Sequence, residues 1–219
     1  MSLPAKPSAV VFDLDGTLID SEALVKEAFQ SVCPRFGADM SDAHFLSLVG
    51  LHRDANDAQM RRLYGEAFPL LEFHEAARAH IGQRVAPLKA GARELMDLLD
   101  RLGLRYGLAT SSRPPWVIRH FTAHGLTDRF SAVITREDVL AGKPDPEPYL
   151  KASAILRAQP GDVLALEDSY AGVASAHAAG CMTIMTPDLL APTDEMREKA
   201  AYIAETLHDV VTLVRAAYG

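Results

Sequence analysis

Apolar positions along the chain follow two different rhythms. Short, mainly apolar runs at 10–12, 105–109, 132–134, 163–166 and 182–185 have the length of buried strands. Between and after the later runs, apolar side chains recur at three- and four-residue intervals, which predicts helices over 92–101, 115–124, 147–156 and 170–179 and a last one within 206–217. In 92–101 the core face is Leu95, Leu98 and Leu99, continued by Leu102, and Gly103 supplies a C-terminal turn before the next strand. Strands separated by ten to fifteen helical residues predict a parallel α/β sheet. Crossover handedness then brings the C-terminal strand ends to one side.

The segment between the first strand and Pro87 reads differently. It holds four helical stretches, 21–32, 41–49, 53–64 and 70–81, with Pro34, Gly37, Gly50 and Pro69 between them or near their ends. A wholly helical insertion is the simplest account.

A length of 219 residues accommodates a main domain plus such an insertion. The net charge of −7, from 22 basic and 29 acidic residues, argues against a broad nucleic-acid footprint. It does not exclude an anionic substrate, which needs only a local cation or a nest of backbone amides. Cys33 and Cys181 are isolated, with no disulfide framework or metal-ligand spacing, and are expected as buried thiols. Residues 1–7 lack a basic region followed by a long apolar core, and no uninterrupted apolar stretch reaches about 18 residues, so the expected compartment is the cytoplasm.

Polar clusters follow the predicted strands. Asp13-Leu14-Asp15-Gly16-Thr17 comes directly after Ala9-Val10-Val11-Phe12, and two carboxylates there are costly unless they hold a cation or do chemistry. Gly16 permits close backbone approach, and Thr17 can cap the segment leading into the insertion. A carboxylate can attack phosphorus when magnesium and a lysine offset the negative charge. A second carboxylate can protonate the leaving oxygen and then deprotonate water.

Thr110 and Ser111 end the second strand, where they can bind phosphate oxygens or simply cap the helix containing Trp116. Ser112 reads as a further cap and Arg113 as a solvated residue. Lys143, in Gly142-Lys143-Pro144-Asp145-Pro146, is the expected neutraliser of Asp13 and of a transferring phosphoryl group. Glu167-Asp168 follows the fourth strand; Asp168 is the preferred metal ligand, and Glu167 a weaker ligand or a residue behind the ligands. The eight histidines form no metal-spaced set.

Together these elements resemble the haloacid dehalogenase-like phosphohydrolase superfamily, in particular its phosphoglycolate phosphatase and beta-phosphoglucomutase-like branch. The acidic turn, Thr110-Ser111, Lys143-Pro144 and Glu167-Asp168-Ser169 occur in family order, followed by Gly172 and Ala178-Ala179-Gly180. The resemblance implies a Rossmann-like parallel-sheet core, residues 1–17 and 86–219, interrupted by an all-helical cap over 18–85 that opens to admit substrate and closes to exclude bulk water. It implies magnesium-dependent hydrolysis of a small phosphomonoester through an aspartyl-phosphate intermediate. Asp13 is then nucleophile and Mg2+ ligand, Asp15 the acid/base with its backbone carbonyl on Mg2+, and Asp168 the remaining protein ligand. Thr110 and the Ser111 N–H bind phosphate, and Lys143 is the electrostatic clamp.

Asp15 and Thr17 set the chain apart from the haloacid dehalogenases, which usually lack the second acidic residue. Gly50-Leu51-His52-Arg53 resembles the mutase cap segment that carries a substrate-contacting arginine, which makes Arg53 a candidate substrate ligand. Val25 stands where the mutases carry a histidine, and that departure favours hydrolysis over a phosphosugar mutase reaction. A phospho-ligand binding protein without turnover is a third reading, disfavoured by the joint presence of Asp13, Asp15, Lys143 and Asp168. The expected partner is a small phosphate ester, with no nucleic acid and no membrane; monomer and weak homodimer are both left open.

Overall fold

The computed structural model describes residues 2–49, 51 and 53–219, and of Arg53 only the backbone. The chain divides into two compact units: the sequence up to Asp20 together with that from Pro87 onward, and Ser21–Ala86.

The first unit is built on a parallel sheet of β1 (Ala9–Phe12), β2 (Arg105–Ala109), β3 (Ala132–Ile134), β4 (Val163–Glu167), β5 (Met182–Met185) and β6 (Tyr202–Ile203), in the order β3-β2-β1-β4-β5-β6. This is the parallel α/β sheet expected from the alternating pattern, in the Rossmann-like form that the resemblance implies. β1 is central and wholly buried, because both of its faces are covered. On one face Val11 joins a cluster with Ala109, Ile134, Tyr149, Leu156 and Ala165. On the other, Phe12 meets Tyr106 and Phe130 edge-on, with ring centroids 6.0 and 5.9 Å apart.

The helices of this unit are α5 (Ala92–Arg101), α6 (Pro114–His124), α7 (Glu147–Leu156), α8 (Tyr170–Ala178), α9 (Asp194–Lys199) and α10 (Leu207–Tyr218). Two elements lie outside the sequence reading, α9 and β6. A six-residue helix and a two-residue, half-buried strand are too short to carry a periodic signal. Residues 18–20 stay with this unit because they pair with the returning chain: Asp20 N–H donates to Pro87 O at 2.9 Å and Lys89 N–H to Leu18 O at 3.0 Å.

The second unit holds α1 (Glu22–Val32), α2 (Asp42–Leu46), α3 (Arg53–Tyr64) and α4 (Leu70–Ile81), with no strand among its described residues. Its core gathers Phe29, Phe45, Met60 and Phe73, with Phe29 and Phe73 rings 4.9 Å apart, and Val25 packs against it. Among the described residues no helix is long and apolar enough to cross a membrane.

Candidate active site

In the sheet order the neighbours of β1 are β2 on one side and β4 on the other, so the C-terminal end of β1 is where successive crossovers diverge. Crevices at such points are where open α/β sheets bind ligands. Asp13 follows β1 directly, and its N–H still donates to Leu166 O of β4 at 2.9 Å. Its carboxylate is thus held on a backbone stitched into the sheet, and it is 6% exposed.

Lys143 reaches this carboxylate from the loop after β3, with Nζ 2.5 Å from Asp13 Oδ1, and the same ammonium pairs with Glu167 Oε1. The loop is pinned from outside. Glu147 accepts from the N–H groups of Leu140 and Ala141 at 3.0 and 2.8 Å, and the Ser175 hydroxyl donates to Asp145 O at 2.5 Å. Glu167, the last residue of β4, is completely buried. Besides Lys143 it accepts from the Tyr149 hydroxyl at 2.6 Å and from the Ser169 hydroxyl at 3.2 Å. Asp168 accepts from the Thr17 hydroxyl at 3.2 Å. Gly16 has φ +80°, and a Cβ there would overlap the Asp168 carboxylate, so the acidic turn and the end of β4 meet only because residue 16 has no side chain.

These contacts govern the charge. Burial raises the Asp13 carboxyl to about 8 against the pull of Lys143, with Glu167 and Asp15 adding to the rise. Burial, Asp13 and Glu167 push Asp168 well above the usual carboxylate range. Burial alone would depress Lys143, but Asp13 and Glu167 outweigh it and hold the ammonium protonated. Oxygens of Asp13, Glu167 and Asp168 lie within 4.8 Å of one another. Fully ionised, the three carboxylates would outweigh the one ammonium, and that repulsion together with burial raises Asp13 and Asp168 in the metal-free site; a divalent cation would hold them ionised, and an all-oxygen donor set suits magnesium. Glu167 already has both oxygens engaged, which leaves Asp13 and Asp168 as the better ligands.

Asp15 is half-buried. Its Oδ2 accepts from Ser112 Oγ at 2.5 Å and its Oδ1 from the Trp116 indole N–H at 2.9 Å. Thr110 is buried; its N–H donates to Ile134 O at 2.9 Å, and its hydroxyl accepts from the Ser112 N–H at 3.0 Å. Ser111, beside it, is exposed. Of the residues named from sequence, Asp13, Lys143 and Glu167 are joined by ion pairs, Asp168 accepts from Thr17 and has an oxygen within 4.8 Å of oxygens of Asp13 and Glu167, Thr110 and Ser111 follow the neighbouring strand, and the Arg53 side chain, like Gly50 and His52, lies outside the described residues.

Two contributors escaped the sequence reading. Tyr149 sits in a predicted helix with nothing in its spacing to mark it, and nothing in the sequence marks Trp116 beyond its place in a helix. The sequence suggests a cap at Ser112; its hydroxyl instead donates to Asp15 Oδ2.

Comparison with known proteins places the family and the fold. The sequence profile of the family described as haloacid dehalogenase-like hydrolase matches residues 10–186. The chain is 32% identical over 178 residues to validoxylamine A 7'-phosphate phosphatase of Streptomyces hygroscopicus subsp. limoneus, covering 80% of this chain and 83% of that one. It is 31% identical over 203 residues to hexitol phosphatase B of Escherichia coli K12, covering 85% and 86%. In fold it is similar to a haloacid dehalogenase family hydrolase of Deinococcus radiodurans R1, solved with phosphate and sodium, with a TM-score of 0.82 at 22% identity over 98% of this chain and 97% of that one. With motifs, sheet order and profile in agreement, the chain belongs to the haloacid dehalogenase-like hydrolases.

Proposed function

We propose that this protein is a magnesium-dependent phosphatase that hydrolyses small phosphomonoesters through an aspartyl-phosphate on Asp13. The observation that carries the reading is the buried Asp13–Lys143–Glu167 contact beside Asp168: Lys143 and a divalent cation held by these carboxylates would together offset the charge of a dianionic phosphoryl group. Phosphatases among its relatives support it.

In this reading a carboxylate oxygen of Asp13 attacks phosphorus, the ester P–O bond breaks, and Asp15 gives its proton to the departing oxygen. Water then attacks the phosphoryl group, its proton passes to Asp15, and the bond to Asp13 breaks to release phosphate. Lys143 keeps its positive charge throughout and offsets the negative charge that gathers on Asp13 and the phosphoryl oxygens. Thr110 uses its oxygen to accept from Ser112, so its hydroxyl hydrogen is available for a phosphate oxygen. Asp13 and Asp168, with the Asp15 carbonyl, would hold magnesium. When bound, the ion supplies further neutralisation of the phosphoryl charge.

The test is a magnesium-dependent screen of small phosphomonoesters that follows both released phosphate and rearranged products, with the Asp13→Asn protein alongside. Phosphate release without isomerised product, lost in Asp13→Asn, is expected. Accumulation of an isomerised sugar phosphate would replace hydrolysis by the mutase reaction. Near-wild-type release by folded Asp13→Asn protein would overturn the covalent route.

A further inference from the structure

Trp116 is the only tryptophan in the chain, and its indole N–H donates to Asp15 Oδ1. Ser112 donates to the other oxygen, so both ends of one half-buried carboxylate are tethered by donors from a single loop and the helix it opens. That loop also carries Thr110 and Ser111. Pro114 and Pro115 begin α6, which fixes the backbone at residue 116. The indole itself is flanked: the His120 ring lies 4.2 Å away between centroids, His120 Nδ1 is 2.9 Å from Trp116 O, and the Arg119 guanidinium sits 5.6 Å from the ring.

An aspartate has two side-chain torsions, and securing both oxygens removes both freedoms. A tryptophan that merely needed a partner for its N–H could have used a backbone carbonyl. We propose that Trp116 is a positioning residue for the reaction, holding the Asp15 carboxyl in the orientation from which it exchanges protons with the leaving oxygen and with water. Ser112 supports it from the second oxygen. The inference rests on the acid/base reading of Asp15.

The experiment measures the phosphorylation of Asp13 by rapid quench with two esters, 4-nitrophenyl phosphate and the best alkyl phosphate from the substrate screen. Trp116→Phe keeps an aromatic ring and removes the donor. It is expected to slow phosphorylation by the alkyl ester about tenfold, a typical loss for a hydrogen bond to a charged group. For the nitrophenyl ester, whose leaving group needs little protonation, the loss should stay below about twofold. In an Asp15→Asn background, adding Trp116→Phe should cost nothing further, because the two act through one step. Ser112→Ala, a smaller change, should show the same contrast, and Asp15→Ala should shift the emission of the single tryptophan.

Equal slowing of both esters by Trp116→Phe, or no slowing, while Asp15→Asn keeps its contrast, would overturn the positioning role and leave the acid/base reading intact. Equal slowing of both esters by Asp15→Asn would overturn that reading, and the positioning role with it. Should Trp116→Phe fail to fold, tryptophan emission unchanged by Asp15→Ala, or no contrast in Ser112→Ala, would sink the proposal.

Discussion

With Asp13, Glu167 and Asp168 gathered at one point, removing the ammonium of Lys143 would leave three carboxylates without a fixed cation. Breaking a buried ion pair from one side typically costs about 3–5 kcal/mol, because the abandoned charge remains buried. Lys143→Met should therefore lower the stability of the metal-free protein by an amount of that order in urea unfolding, and added magnesium should recover part of it. Unchanged stability would mean that the pair does not form in solution. Tyr149 tests the same cluster from the side opposite the solvent. Its hydroxyl is fully buried against Glu167, and burial together with the Glu167 charge raises its pKa well above 10, so it remains a donor. Tyr149→Phe removes one donor from a buried carboxylate and should cost about 1–3 kcal/mol, read as a shift in urea midpoint at constant slope.

At the scale of elements, the segment between β3 and α7 is held by side-chain contacts to backbone groups. Glu147, in the first turn of α7, accepts from Leu140 and Ala141 N–H and pairs with Lys151 one turn on at 2.6 Å. The Ala141 N–H, the Lys151 ammonium and the Leu140 N–H lower its carboxyl from 4.5 to about 2. A depressed carboxyl contributes stability above its unfolded pKa, and that contribution is lost as pH falls through the folded value. Wild type should therefore exceed Glu147→Gln in stability at pH 6, and the difference should shrink as pH falls from about 4.5 to about 2. A difference that stays constant across this range would show that Glu147 is not ionised against these groups. The same clamp should steady Lys143, which lies in the restrained loop.

For the whole molecule, the clearest consequence of the site is a link between ion binding and stability. A ligand that binds only the folded state at about 100 times its Kd adds about 2.7 kcal/mol. Magnesium should raise the thermal midpoint of the wild-type protein, and Asp168→Asn should remove most of that rise while leaving the metal-free protein folded. An equal rise in both proteins would separate Asp168 from the ion. The net charge of −7 spreads over the chain, yet the site concentrates its own excess of negative charge beside Lys143. A place that could hold a cation is therefore a property of how strand ends meet, and total charge does not report it.

The sequence by itself determined the alternation of strand and helix, and with it the parallel α/β class, because a buried strand and an amphipathic helix differ in apolar period over only a few residues. The helices over 92–101 and 147–156 were legible to the residue, and those near 115–124 and 170–179 to within one position at an end. α9 and β6 were not, since their short segments owe their form to neighbours already in the sheet. The acidic turn and Glu167-Asp168 stand out in the sequence because charge directly after an apolar run is chemically costly, and Lys143 because it lies in a proline-restrained turn after the third strand. Only the tertiary structure decided which strands lie beside β1 and that Gly16 must yield space to Asp168. It alone brought Tyr149 to Glu167 and Trp116 to Asp15, across 18 and 101 residues of sequence. Those contacts depend on helix rotation and strand register across long separations, which local periodicity cannot encode.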